Sequence, residues 1–184
     1  METVRNWRGF VFWFWCFAAY SFAGFLLETA FAALTGGHAN RKGLLVLPLC
    51  PVYGAGACLI LALPGWVDAR PWALFLLGGL SATAAEYLAA LWHEKALGVV
   101  FWDYSGLPGN VGGRVCLPFS LAWGILSALA VWGVQPAVAR LAAHIPTAGT
   151  CAFLLLFLLD TAFSVRFLWV THDVEELRLT GWSL

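Results

Sequence analysis

An all-helical integral membrane protein is the fold class this sequence predicts, and three observations predict it. Hydrophobic residues make up 61% of the 184 positions and charged residues only 11%, with a mean hydropathy of +0.81; soluble domains carry roughly 25% charged residues. The apolar residues are gathered into five long runs, at about 9–34, 44–65, 71–97, 117–138 and 149–170. The tryptophans concentrate at the ends of those runs, among them Trp7, Trp66, Trp72, Trp92, Trp102 and Trp169, as interfacial belts do.

The first run follows Arg5 and Arg8 and continues well past Gly24, whereas the apolar core of a secretory signal is about 7–15 residues long. It reads as a membrane helix. The second is crowded in its first half by Pro48, Pro51, Gly54 and Gly56. A helix starting near Pro51 leaves about 15 apolar residues, short of the roughly 20 a span needs, so a re-entrant or kinked entry buried against protein is expected there. The third, fourth and fifth runs have span length without such interruption. Together they predict a single polytopic membrane domain over residues 1–184, built from about five helices.

A pattern recurs within these runs. The segments "GLLVLPLCPVYG" (43–54) and "GRVCLPFSLAWG" (113–124) share G-x-x-x-L-P-x-x-x-x-aromatic-G, each three residues after an asparagine, Asn40 and Asn110. Separately, "FLLETAFA" (25–32) matches "FLLDTAFS" (157–164), with Glu28 exchanged for Asp160. The expected architecture is two related helical hairpins plus a fifth helix.

Three acids, Glu28, Glu86 and Asp160, lie inside the first, third and fifth runs. A charged side chain at the bilayer centre costs about 2.5–3.5 kcal/mol on insertion scales. Three such acids need a shared polar interior, a retained proton or cations beside them. Arg41 and Arg114, each following an asparagine in a loop, are the cations nearest in pattern, since the guanidinium stays charged when buried and can serve two carboxylates. The sequence thus leads to a ligand-binding cluster of Glu28, Glu86 and Asp160 capped by Arg41 and Arg114. Glu94 and Asp103 stand at its rim, Trp102 anchors the loop and Asn110 satisfies its backbone. A purely structural set of helix-stapling ion pairs is the competing reading.

Other chemistries lack a signature. Ten basic and ten acidic residues give zero net charge with no basic run, so nucleic acid is not an expected partner. The sequence has no Walker lysine loop, no H-E-x-x-H and no G-x-S-x-G, so no catalytic residue, metal or cofactor is assigned. His93-Glu94 is a lone pair read as interfacial. The five cysteines are odd in number and without C-x-x-C spacing, which suits small buried hydrophobes. Cys50 and Cys116 flank the matching loops.

Between Tyr20 and Ser164 the sequence resembles the CmpB-like ABC-transporter type IV family of small bacterial membrane proteins. The residues that carry the likeness are Ser21, Gly24 and Glu28, then Asn40-Arg41, "PLCPVYG" (48–54) and Glu86-Tyr87. After them come "WDYS" (102–105), "NVGGRVC" (110–116), Ser120, Trp123-Gly124, Asp160 and Ser164. Lys42 and Leu47 depart from the pattern. The resemblance implies a multi-pass protein of the bacterial inner membrane and a permease component, and its name alone implies an ATPase partner. The lipid bilayer is the expected surrounding. A homo-oligomer or further membrane subunits are also expected, because five short helices barely enclose a pathway. The leading function is thus a transporter or permease component that binds a polar solute or protons at the acid and arginine cluster. The alternatives are a membrane-embedded enzyme acting on lipid or lipid-linked substrate, and a small structural or regulatory subunit.

Overall fold

The computed structural model describes residues 2–35 and 43–179. Among them the chain is helical and forms no sheet. Helix α1 spans Glu2–Leu34, α2 Pro51–Leu61 and the single turn α3 Gly65–Asp68. They are followed by α4 (Pro71–Leu97), α5 (Leu117–His144) and α6 (Thr147–Thr171), and by the short terminal α7 (Val174–Leu179). Four of these, α1, α4, α5 and α6, are long and apolar enough to cross a bilayer. The protein is a multi-pass membrane protein.

The second apolar run yields a helix shorter than the run, as its prolines predict. Residues 43–50 are not helical, and α2 has only 11 residues, about 16 Å at 1.5 Å per residue against a hydrocarbon core of about 30 Å. Proline explains the start: Pro51 occupies the first turn, where a missing N–H costs nothing, while Pro48 keeps the preceding chain extended. In the fourth run the difference goes the other way. The helix passes Pro136 and continues to His144, because the widened π-helical turn Leu129–Val134 absorbs the lost backbone bond.

Contacts between named residues give the helix directions. Cys58 Sγ reaches the Trp13 carbonyl and Gly54 sits on Phe17 and Ser21, so α2 runs antiparallel to α1. Gly79 sits on Gly124 and Gly78 on Ser127, while Glu86 meets Trp123, so α5 runs antiparallel to α4. Helix α6 runs alongside α1 in the same direction, with Trp15 stacked on Phe153 at 5.1 Å between centroids and Phe17 edge-on to Phe157. Leu97, Val99, Leu168, Val174 and Leu177 close the C-terminal ends of α4 and α6 into one apolar cluster.

The two hairpins repeat in space as well as in sequence. Adding 58 to Phe17, Ser21 and Glu28 gives Phe75, Gly79 and Glu86; adding 70 to Tyr53 and Gly54 gives Trp123 and Gly124. Gly54 packs on Phe17 and Ser21, and Gly124 on Phe75 and Gly79. Tyr53 donates a hydrogen bond to Glu28, and Trp123 donates one to Glu86. The two aromatic rings then meet edge to face, 5.0 Å between centroids. A small-residue pair such as Gly78-Gly79 is the kind of face through which other subunits can pack. Both glycines are instead buried inside the chain, because only a residue without Cβ lets α4 and α5 approach so closely.

A Cβ on Gly124 would lie 2.7 Å from the Phe75 ring and 2.8 Å from its backbone oxygen. Gly124→Ala is therefore expected to destabilise the protein by about 1–3 kcal/mol through overpacking. At Gly133 a Cβ would have nothing within 4 Å, and Gly133→Ala is expected to be neutral. Thermal unfolding of both variants in detergent, followed by tryptophan fluorescence, checks the contrast.

Candidate functional site

Between the two hairpins lies a cavity of about 920 Å³, bounded by α1, α2, α4, α5 and the loop that follows α4. Its wall is largely apolar, with Leu27, Phe31, Leu59, Leu88 and Leu126 among the lining side chains. Two carboxylates interrupt that surface, Glu28 and Glu86, 58 residues apart in the chain but equivalent in the repeat.

Glu86 is 4% exposed. The Tyr104 hydroxyl donates to its Oε1 at 3.0 Å and the Trp123 indole N–H donates to its Oε2 at 2.9 Å. Glu28 is half-buried, and its Oε1 accepts from the Tyr53 hydroxyl at 2.8 Å. His93 stands two turns beyond Glu86 on α4 and also lines the cavity. It is 7% exposed, packed edge to face against Phe101, and its Nδ1 has no hydrogen-bond partner among the described residues.

Tyr104 reaches Glu86 because the loop carrying it is tightly built. The Arg114 guanidinium grips the Glu94 carboxylate through Nε at 2.9 Å and through a second N–H, and lies over the Tyr87 ring. Hydrogen bonding to Glu94 pushes the guanidinium still higher in pKa than usual. The Trp102 indole donates to the Arg114 carbonyl at 2.8 Å. Gly112 and Gly113 adopt φ of 59° and 71°, a left-handed conformation that side chains with Cβ disfavour. Asn110 ties the turn by donating to the Ser105 and Leu107 carbonyls. Burial, and then the nearby Glu86 carboxylate, push the Tyr104 phenol well above its ordinary range, so it stays a hydrogen-bond donor.

The sequence-derived site is thus divided in space. Glu28, Glu86 and Trp102 lie on the cavity wall. Glu94 and Arg114 pair with each other behind the loop rather than capping the buried acids. Asp103 and Asn110 are exposed on the loop. Asp160, half-buried on α6, accepts the backbone N–H groups of Val46 and Leu47 at 3.2 and 3.0 Å, with Ser164 at 3.3 Å. It therefore satisfies the non-helical segment ahead of α2, which inside a bilayer has no water to turn to. Arg41 lies outside the described residues. Cys50 and Cys116 are both buried.

Tyr53, Tyr104, Trp123 and His93 were not singled out as site residues from sequence. For Tyr53 and Trp123 the signal was present, since each is the aromatic of a repeated G-x-x-x-L-P-x-x-x-x-aromatic-G segment. His93 carries a weaker one, its spacing of seven from Glu86 on one helix face, and Tyr104 carries none, because its role comes from a loop folding back over α4.

Asp103 supplies a pH-dependent element of that loop. Its Oδ1 accepts from the Ser105 hydroxyl at 2.5 Å and from the Ser105 backbone N–H at 2.9 Å, and these bonds hold the carboxyl below its ordinary value of 3.8. A depressed carboxyl contributes stability above its unfolded value and loses it as pH falls through the folded one. The turn is thus expected to loosen only below pH 3.8. Ser105→Ala is expected to move the Asp103 titration back toward 3.8, measured by carboxyl carbon NMR.

The family model described as "Putative ABC-transporter type IV" matches residues 15–165. No curated protein and no solved structure matches the chain. The matched stretch takes in both hairpins, the loop with its arginine, and α6 as far as Asp160 and Ser164. The chain belongs to the ABC-transporter type IV family, a family named for membrane transport.

Proposed function

We propose that the chain is the solute-binding membrane component of a permease in the bacterial inner membrane, and that the cavity between its hairpins holds the transported species. The observation that carries this reading is the pair of carboxylates, Glu28 and Glu86, set into an otherwise apolar wall of a cavity of about 920 Å³. Ligand pockets commonly span about 300–1,000 Å³ with a few placed polar groups on apolar walls. An intramembrane acid is costly to keep, and a purely structural role needs no cavity beside it. The arginine of the sequence-derived cluster acts on the site indirectly, by seating the loop that brings Tyr104 onto Glu86.

Four long helices and one short helix do not enclose a full pathway on their own, so the working unit is a homo-oligomer or an assembly with other membrane subunits. The exposed apolar faces of α5 and α6, including Leu129, Leu155, Leu158 and Leu159, suit lipid or another apolar helix. An ATPase partner follows from the family name alone.

Filling the cavity tests the reading. Ala122 lines it, whereas Leu155 is 60% exposed on the outer face of α6. In lipid nanodiscs, binding of dodecyl-chain amphiphiles bearing trimethylammonium, sulfate or maltoside heads is measured by titration calorimetry against empty discs. Ala122→Trp is expected to weaken the bound members of the panel by at least about tenfold, and Leu155→Trp to leave them unchanged. Equal affinities in both variants would remove the cavity from the function.

A further inference from the structure

The residues around Glu86 define the class of solute. We propose that this end of the cavity is a site for a lipophilic organic cation, which takes the place of a proton on the Glu86 carboxyl. The inference rests on the solute-binding reading above and adds charge sign and exchange to it.

The first support is the company Glu86 keeps. Both oxygens accept hydrogen bonds from neutral donors, a phenol and an indole, and no positive group is among their partners in the described residues. A carboxylate so deeply buried is stable only when it holds a proton or when a cation sits beside it. The hydrogen bonds fix its position and leave its charge unanswered.

The second support is the wall. Tyr53 and Trp123 meet edge to face, Tyr104 stacks on Phe119 at 4.8 Å, and Trp102 and Phe101 close around His93, all of them on the cavity. Aromatic faces beside a carboxylate attract organic cations, because the ring quadrupole adds to the full charge. The rest of the wall is leucine, alanine and phenylalanine, which suits an apolar body and rejects a small hydrated ion.

The exchange balances without any further reactant. The Glu86 O–H bond breaks, its proton passes to water, and the cation and carboxylate form an ion pair with no covalent bond. The titratable groups facing the same cavity are Glu28 from α1, Cys50 and Tyr53 at the start of α2, His93 on α4 and Tyr104 from the loop; α5 contributes only the indole of Trp123. Glu28 is the equivalent residue of the first hairpin and lines the same cavity.

Equilibrium binding of radiolabelled tetraphenylphosphonium to the wild-type protein in nanodiscs tests this, with empty discs subtracted. Affinity is expected to rise about tenfold per pH unit over the range where proton and cation compete. Binding in weakly buffered solution is expected to release about one proton per cation, read with a pH-indicating dye. Glu86→Gln is expected to lower affinity at least about tenfold while Glu86→Asp retains binding, with thermal unfolding confirming that each variant is folded. Binding that is independent of pH and releases no proton overturns the exchange, and this arm needs no variant. Dodecyl sulfate binding as tightly as dodecyltrimethylammonium overturns the cation class while leaving the cavity reading intact. Indifference of every amphiphile to Ala122→Trp brings down the cavity reading itself.

Discussion

Placing a carboxylate among apolar side chains is the constraint around which this molecule is arranged. Glu86 has to be met by hydrogen-bond donors from outside its own helix, since α4 uses its own N–H groups internally. One donor comes from α5 and one from the loop before it. Each requirement propagates. The indole reaches Glu86 only because Gly79 and Gly124 let the two helices touch, and the phenol reaches it only because Arg114 is anchored on Glu94 and the glycine turn is left-handed. The same logic recurs in the first hairpin, where Tyr53 meets Glu28 over a close contact at Gly24 and Gly54.

Much of this was legible in the sequence, for identifiable reasons. Long apolar runs report spans directly, because a bilayer enforces both length and composition. The proline crowding at Pro48 and Pro51 correctly marked the one helix that falls short. The repeated segments located the hairpins, and the acids within them located the polar interior. Partners were harder to read. Arg114 was drawn toward the buried acids by charge alone, yet Glu94 lies on the face of α4 that the loop crosses, and geometry outweighed the count of charges. Asp160 resembled Glu28 in its local sequence but serves backbone N–H groups, because its neighbour in space is an irregular segment, which no periodicity reports.

The division of the polar residues gives the chain two kinds of carboxylate. Glu94 and Asp160 hold the backbone and loops in place, each with its partners supplied by this same chain. Glu86 is held by neutral donors and faces a cavity. The first kind stabilises an architecture; the second has only neutral donors among the described residues, and it is the kind on which the proposed solute site rests.

Helix α6 stands apart from the hairpins in a way that bears on mechanics. Glycines bring the other long helices into backbone contact, whereas α6 meets α1 through whole aromatic rings, Trp15 on Phe153 and Phe17 on Phe157. The Trp15 indole also donates to the Thr150 hydroxyl at 3.0 Å, which fixes the register of the two helices. Asp160 in turn ties α6 to Val46 and Leu47, two residues from Leu44 on the lip of the cavity. A displacement of α6 would thus be passed through Asp160 to the same non-helical segment that lines the cavity at Gly43 and Leu44.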